Sequence, residues 1–226
     1  KYQHEVWRSM TDGFLQRIGV QSGWKCLDAG AGPGFVSMDL RNIVGDTGEV
    51  TLLEPSTFYI DSFKKFAEQK SWENTKFIQG LVEESTLPEN YYDLIFSRWV
   101  ISFVPDPEKF VSILVKSLKP GGILAIEDYN YDGLGLFPKG GAWDRMPEIM
   151  KGYYEYGGGD PYVASKLPGI YNKSGLELID FKPNIMAGGP DSDIMEWAHR
   201  FFTIHIPILA EKGIITKEDE KAYIKN

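Results

Sequence analysis

The sequence predicts an α/β fold in which helices cover both faces of a doubly wound, mainly parallel sheet. Short β-branched and apolar runs alternate with segments of helical periodicity over roughly the first 130 residues. These runs are apolar throughout, as expected for strands that are buried on both faces. The first run ends in a cluster of glycines before a helical pattern, which is the arrangement of a ligand-binding turn in such sheets.

The strands and helices of this region follow one another in regular alternation. A helix over 5–18, which Gly19 ends, precedes the first strand. The predicted strands are 25–29, 49–54, 75–79, 92–97 and 123–128. The predicted helices between them are 35–43, 57–69 and 107–118, and Pro120-Gly121-Gly122 stops the last of these. Right-handed crossovers between parallel strands account for this order.

The alternation breaks after Asp128, where the composition shifts to Tyr, Gly and Pro. We predict helices over 143–156, 162–172 and 192–212, a short charged helix over 217–226, and a sixth strand over 176–186. The chain is predicted to form a single domain. Its parts are an N-terminal helix (1–20), a ligand-binding core (21–130) and a region of lid, sixth strand and C-terminal helices (131–226).

Composition narrows the class of protein. The 226 residues are 42% hydrophobic and 25% charged, the balance of an ordinary globular protein. No apolar run approaches the roughly 20 residues of a membrane span, and no secretory signal is visible. The net charge of −8 argues against a nucleic-acid partner. The single cysteine, Cys26, cannot form an internal disulfide and is predicted to be a buried hydrophobe, which favours a cytoplasmic location.

A glycine-rich turn follows the first predicted strand. Alternate glycines let the backbone turn tightly and approach a ligand, and the helix beyond adds free N–H donors. A dinucleotide loop needs G-x-G-x-x-G, but Phe35 stands where the third glycine would fall, and no GK[ST] phosphate loop is present. The candidate binding residues here are Asp28, Gly30, Ala31, Gly32 and Gly34. Asp28 either contacts the ligand or holds the loop through backbone N–H groups.

An acid ends the second strand. Glu54 follows Gly30 by about 24 residues, and its carboxylate can accept hydrogen bonds from two vicinal ribose hydroxyls. Pro55, which follows it, is a further candidate. Because many nucleoside ligands carry such a ribose, this acid alone does not identify the ligand, and only the glycine spacing argues against a dinucleotide.

The D-x-G-x-G-x-G pattern resembles motif I of the class I S-adenosylmethionine-dependent methyltransferases. Three further segments resemble parts of this family and follow one another in the right order. Residues 77–84 (FIQGLVEE) resemble its adenine-contact segment, and residues 92–99 (YDLIFSRW) resemble its motif IV. Residues 118–124 (LKPGGIL) resemble the turn before its strand five. The resemblance covers about residues 20–130 and is strongest to small-molecule methyltransferases of the UbiE-like (type 11) kind. It implies a Rossmann-like methyltransferase fold and S-adenosyl-L-methionine as cofactor.

The resemblance also assigns the remaining candidate site residues. Leu81 stands where the family often has an acid that reads the adenine amino group. We therefore expect Leu81 and Val82 to pack on the adenine ring, with Glu83 or the backbone meeting its amine. The family's sheet usually ends in an antiparallel seventh strand, and no segment after Met186 has that pattern. Ser97, Arg98 and Trp99, at the end of strand four, are expected at the cofactor pocket, although Trp99 equally suits the core.

The implied function is methyl transfer from S-adenosylmethionine to a small-molecule acceptor. A cofactor-binding module without transfer, or an NAD-type oxidoreductase, are the alternatives. Aromatic residues crowd the segment after Asp128, where they either line an apolar or aromatic acceptor pocket or anchor a lid. Asp128, Tyr129 and His199 are candidate bases, and no catalytic residue is assigned. No cluster has metal-ligand spacing.

Overall fold

The computed structural model describes residues 1–225. Its sheet has five strands in the order β3-β2-β1-β4-β5, and every neighbouring pair is parallel. The strands are β1 (Lys25–Ala29), β2 (Glu49–Glu54), β3 (Thr75–Gln79), β4 (Tyr92–Arg98) and β5 (Leu118–Glu127). The strand order reverses between β1 and β4, so ligands are expected beyond the carboxyl ends of these two strands. The predicted fold class is confirmed.

Eight α-helices are present in the described part of the chain. They are α1 (Tyr2–Ile18), α2 (Phe35–Val44), α3 (Thr57–Gln69), α4 (Pro107–Ser117), α5 (Met146–Tyr156), α6 (Val163–Lys173), α7 (Asp193–Glu211) and α8 (Lys217–Lys225). The last residue of the predicted tail helix, Asn226, lies outside the described residues.

Local sequence explains where several helices begin and end. The Ser56 hydroxyl accepts a hydrogen bond from Tyr59 N at 3.4 Å and caps α3. Asp106 caps α4 in the same way, and Pro107 occupies the first helical position, where its missing N–H costs nothing. Gly19 ends α1 with a left-handed φ of 72°.

Helices cover both faces of the sheet, as the uniformly apolar strands predict. Alternate strand residues point to opposite faces. Cys26 and Leu52 face α1, α2 and α3, whereas Leu27 and Leu53 face α4 and α6. A third hydrophobic cluster lies in the region after β5, between α5, α7 and α8, and we call this helical region the cap. The division of the chain into three parts stays a prediction.

The predicted sixth strand is wrong. Residues 176–186 form no ladder, and within residues 1–225 no strand follows β5. The apolar side chains in this segment are largely exposed, with Ile179 at 71% and Ile185 at 85%. A strand needs a partner as well as β-branched residues, and Pro183 interrupts any ladder by lacking an N–H donor.

The fifth strand begins earlier than predicted. It starts at Leu118, immediately after α4, instead of at Ile123. Leu118 pairs with Tyr92 and Ile123 pairs with Leu94, so five residues of β5 match two of β4 and the register shifts between them. The segment Pro120-Gly121-Gly122 is therefore an irregularity within the strand.

Two sequence predictions concern helix hydrophobicity and the single cysteine. No helix in residues 1–225 is both long and apolar enough to cross a membrane. Cys26 is fully buried, and burial raises the pKa of its thiol to about 12. This confirms the prediction that Cys26 is a structural hydrophobe.

Candidate cofactor site

The glycine-rich loop is tied to the carboxyl end of β2. The backbone N–H groups of Gly30 and Ala31 both donate to the Leu53 carbonyl, at 2.8 and 3.0 Å. Gly34 N closes the turn by donating to Ala31 O at 2.9 Å. These bonds place the loop between β1 and β2, where α2 starts.

Glu54 lies at the same sheet edge as the loop. Its buried carboxylate accepts a hydrogen bond from Gly32 N at 2.9 Å through Oε2, and from Ser56 N at 3.0 Å through Oε1. A carboxylate offers about four acceptor positions, so two remain for ligand hydroxyls. The glycines and the acid, which the sequence singled out separately, therefore lie together at one edge of the sheet.

Two of the glycines have different surroundings. A Cβ atom on Gly34 would lie 2.1 Å from the Phe63 ring, and φ there is +81°. At Gly32, φ is +53° and nothing lies within 4 Å of the Cβ position. Gly34 thus allows α2 and α3 to pack closely, whereas Gly32 presents bare backbone to open space that a ligand can fill.

Asp28 connects the two elements on either side of the loop. Its Oδ2 accepts a hydrogen bond from the Ser37 hydroxyl at 2.6 Å, which joins β1 to the first turn of α2. Asp28 is 2% exposed, and this burial raises its pKa to about 6 in spite of the Ser37 hydrogen bond and the charge of Arg98. This contact joins β1 to α2 and is not the predicted bond to the backbone N–H groups of the loop, so both predicted roles of Asp28 stay predictions.

The segment after β3 reaches the same edge. Gly80 N donates to the Glu54 carbonyl at 3.2 Å, so the residues that follow lie beside the acid. Leu81 is 47% exposed and offers an apolar surface, whereas the Val82 side chain packs in the core. Glu83 is half-buried in a short 3-10 turn, and Pro55 is exposed at the rim. Leu81 fits the predicted adenine contact, and Val82 could contribute only through its backbone.

The end of β4 lies across the switch point from the loop. The Ser97 hydroxyl is buried and donates to the Ala29 carbonyl at 2.9 Å, so it supports the site from within the sheet. Trp99 has a left-handed φ of 59°, uncommon for a bulky residue, and its ring stacks on Tyr129 at 5.5 Å. Such strained conformations are often found at functional sites.

Helix α1 contributes residues that the sequence did not single out. His4 is 7% exposed, stacks on Phe35 at 4.7 Å and accepts a hydrogen bond from Arg98 through Nδ1 at 3.1 Å. Thr11, which is fully buried, accepts another from Arg98 at 2.9 Å. The spacing of His4, Thr11 and Leu15 is the signal, since it extends the buried face of α1 toward the site.

Phe35 also decides against a dinucleotide loop. Its ring fills the place between α1 and α2 beside His4. A dinucleotide fold requires glycine at this position so that the helix can approach the strand closely. The structure therefore supports the spacing argument made from the sequence.

Aromatic rings form a wall beyond the ends of β4 and β5. The Trp7 ring makes edge contacts with Trp99, Tyr129 and Trp197, at centroid distances of 6.4, 5.7 and 5.5 Å. Gln3 donates a hydrogen bond to the Tyr129 hydroxyl at 3.0 Å. We call Trp7, Trp99, Tyr129 and Trp197 the aromatic wall. It joins α1, the sheet and the cap at the edge that carries the glycine loop.

The candidate bases are placed less favourably. Asp128 accepts hydrogen bonds from the Ser102 hydroxyl, Ser102 N and Tyr129 N, so it anchors the turn after β4. Burial raises the pKa of Asp128. His199 is exposed on α7. Among the residues that the structure describes, no group of three His, Cys, Asp or Glu side chains is placed to hold a metal ion.

Comparison with known proteins agrees with this geometry. The family model described as a methyltransferase domain matches residues 20–171. The chain is 29% identical over 156 residues to the ubiquinone/menaquinone biosynthesis C-methyltransferase UbiE of Psychromonas ingrahamii. That match covers 66% of this chain but only 59% of the relative's length.

Two solved structures share the fold. A SAM dependent methyltransferase from Aquifex aeolicus matches with a TM-score of 0.57 and 22% identity, over 73% of this chain and 78% of that chain. The [4+2]-cyclase SpnF matches with a TM-score of 0.59 and 18% identity, over 76% and 57% of the two chains. Because the family model matches more than half of the sequence, the chain belongs to the methyltransferase-domain family, within the class I S-adenosylmethionine-dependent methyltransferases.

Proposed function

We propose that this protein transfers a methyl group from S-adenosylmethionine to a small-molecule acceptor. One observation carries the proposal: the Glu54 carboxylate is held against Gly32 N at 2.9 Å, beside a loop position where bare backbone faces open space. This arrangement suits a ligand with ribose hydroxyls that the buried acid can bind. It also suits a compact polar chain on the same ligand, which the glycine loop leaves room for.

The residues present fit the cofactor. Glu54 would hold the ribose hydroxyls, Leu81 would pack on the adenine, and Gly30 and Gly32 would allow the amino-acid portion to approach the backbone. Asp28 and Ser97 would act indirectly, since their side chains hold the loop and the end of β1.

The cofactor, when bound, supplies a sulfonium methyl group that is open to in-line displacement by a nucleophile. The protein's part is to orient the acceptor and to exclude water. The aromatic wall is suited to both tasks, because its half-buried apolar rings pack on one another at this edge of the sheet. No base is assigned: three hydrogen bonds occupy Asp128, and His199 is exposed to solvent on α7.

The aromatic wall supports an apolar or aromatic acceptor. The relative from Psychromonas is named for ubiquinone/menaquinone biosynthesis, which agrees with a small-molecule acceptor. The net charge of −8 supports the further prediction that nucleic acid is not the acceptor. A cytoplasmic location stays a prediction based on the single buried cysteine.

Isothermal titration of S-adenosylhomocysteine tests the binding site. We expect Glu54→Ala to weaken binding by about 1.5–3 kcal/mol, the range of hydrogen bonds to charged groups. Glu89→Ala, which removes an exposed acid before β4, is the matched control and should bind as the wild type does. Unchanged affinity in Glu54→Ala would remove Glu54 from the site.

A separate measurement tests transfer. S-adenosylhomocysteine formation should appear when S-adenosylmethionine and a pool of small metabolites are added to the wild-type protein. The fold alone does not establish transfer, because the similar SpnF structure is described as a cyclase. If the protein binds S-adenosylmethionine tightly but forms no S-adenosylhomocysteine with any metabolite in the pool, the alternative of a cofactor-binding module without methyl transfer is favoured.

A further inference from the structure

Arg98 is a partly buried cation at the carboxyl end of β4. Its Nη1 donates to Thr11 Oγ1 at 2.9 Å and its Nη2 to His4 Nδ1 at 3.1 Å. The guanidinium also lies 4.3 Å from the Trp99 ring centroid. Within the described part of the chain, no carboxylate oxygen comes within 4.0 Å of an Arg98 nitrogen. A guanidinium has five N–H donors, so it retains capacity for an anion.

The surroundings hold this guanidinium in one orientation. The Thr11 hydroxyl accepts from Arg98 and donates to Glu127 Oε1 at 3.1 Å, so its direction is fixed by both partners. His4 can accept from Arg98 only as neutral imidazole, and its Phe35 stack locks the ring. Asp28, Asp39 and Glu127 balance the charge of Arg98 from a distance. The arginine is preorganised, but none of these acids forms an ion pair with it.

Its position relative to the loop is set by the sheet. Phe96 pairs with Asp28, so Arg98 lies two residues beyond the last β1–β4 pair, at the strand end that the glycine loop leaves. Val100 packs against Gly30 from the same strand end. Glu54 lies on the other side of β1, at the end of β2, so two strand spacings, about 10 Å, separate the two strand ends. A ligand whose sugar meets Glu54 would extend its opposite end toward Arg98.

We infer that Arg98 binds the α-carboxylate of the cofactor's amino-acid portion, and that α1 positions it through His4 and Thr11. This inference rests on the proposed function. Arginine suits a carboxylate because its planar N–H groups match the two oxygens. Helix α1 lies outside the matched residues 20–171, so this support is not part of the matched family region.

The test compares two ligands that differ in the group Arg98 would read. S-adenosylhomocysteine carries the amino-acid carboxylate, and 5′-methylthioadenosine lacks it but keeps the nucleoside. We expect Arg98→Gln to weaken S-adenosylhomocysteine binding by about 10- to 100-fold, and methylthioadenosine binding by less than about twofold. Retained methylthioadenosine binding also shows that the variant is folded. Equal losses for the two ligands, or no loss for either, would overturn the inference.

Thr11 provides a matched pair if Arg98→Gln does not fold. Thr11→Val removes both hydrogen bonds with little change of shape, whereas Thr11→Ser retains the hydroxyl. We expect Thr11→Val to weaken the binding of S-adenosylhomocysteine several-fold and Thr11→Ser to bind it nearly as the wild type does. Both variants should bind methylthioadenosine as the wild type does. Wild-type affinity in Thr11→Val, or the same loss in Thr11→Ser, would count against α1 as the positioning element.

Failure of the inference and failure of the proposed function are distinguishable. Glu54→Ala should weaken both ligands, because both carry the ribose. If the wild-type protein binds neither ligand, the proposed function fails and the inference fails with it. If the wild type binds both and Arg98→Gln does not separate them, only the inference fails.

Discussion

At the scale of single residues, the site depends on acids that differ in role because they differ in surroundings. Glu54 accepts two backbone N–H groups at a sheet edge and keeps acceptor positions for a ligand. Asp28 is enclosed beneath the loop, where one hydroxyl bonds it. Under the proposed function, Glu54 would therefore bind the ligand, whereas Asp28 joins β1 to α2.

The buried Asp28 should leave a signature in the pH dependence of stability. Its folded pKa of about 6 exceeds the ordinary value of 3.8, so its contribution to stability is lost as pH rises from about 4 to about 6. In Asp28→Asn this titration is absent and the Ser37 hydrogen bond can persist. The stability of the variant relative to the wild type should rise by up to about 3 kcal/mol across this window and level off above it.

Urea unfolding at steps from pH 4 to pH 7.5 measures this difference. Asp61→Asn, which changes an exposed acid on α3, is the control and should run parallel to the wild type. Parallel curves for Asp28→Asn and the wild type would show that Asp28 titrates normally.

At the scale of elements, the glycine loop combines a packing requirement with the binding role that we propose for it. Gly34 is needed because α2 and α3 approach each other at its Cα, with the Phe63 ring in contact. No atom lies within 4 Å of the Cβ position of Gly32, so its missing side chain is not needed for packing and, under the proposed function, leaves room for the ligand. Substitutions at the two glycines should therefore affect different properties.

Gly34→Ala should destabilise the fold by about 2–4 kcal/mol, which sums a left-handed backbone penalty and overpacking against Phe63. Gly32→Ala should cost about 1 kcal/mol of stability, from the backbone alone, yet weaken S-adenosylhomocysteine binding. Urea unfolding and isothermal titration of both variants check the contrast. Equal destabilisation would mean that Phe63 can move aside, and normal binding by Gly32→Ala would place the ligand elsewhere.

Helix α1 shows where element-level prediction ends. Its periodicity predicts a helix that ends at Gly19, and the structure confirms both. The same periodicity carries His4 and Thr11 onto the buried face, but a polar residue on such a face reveals its partner only when the neighbouring element is known. Their partner, Arg98, lies 87 residues or more away in sequence.

At the scale of the whole molecule, the sheet and the segment that follows α6 differ in how far their backbone N–H groups are hydrogen-bonded. Strands β1 and β4 are paired on both sides, because each lies inside the five-stranded order. Among the described residues, no backbone N–H from 177 to 191 donates a hydrogen bond, and the segment is mostly exposed. Its contact with α1 includes an ion pair between Arg17 and Asp180 at 2.8 Å.

Hydrogen exchange should report this difference. Amides of β1 and β4 are expected to exchange only through global unfolding, whereas those of 177–191 should exchange orders of magnitude faster. Mass spectrometry of peptides from the exchanged protein measures both regions in one experiment. Protection of 177–191 comparable to that of β4 would show that the segment is paired as a strand in solution.

The sequence by itself determined the α/β class and the bounds of β1, β2, β3 and α3, and it pointed to the loop and the acid of the proposed site. These depend on local patterns: apolar runs, capping residues and glycine spacing act through near neighbours in the chain. Tertiary structure alone decided that 176–186 does not pair, that Val82 belongs to the core, and that α1 holds Arg98. Strand pairing, burial and charge compensation depend on residues that are distant in sequence but adjacent in space. A local sequence pattern therefore does not predict them.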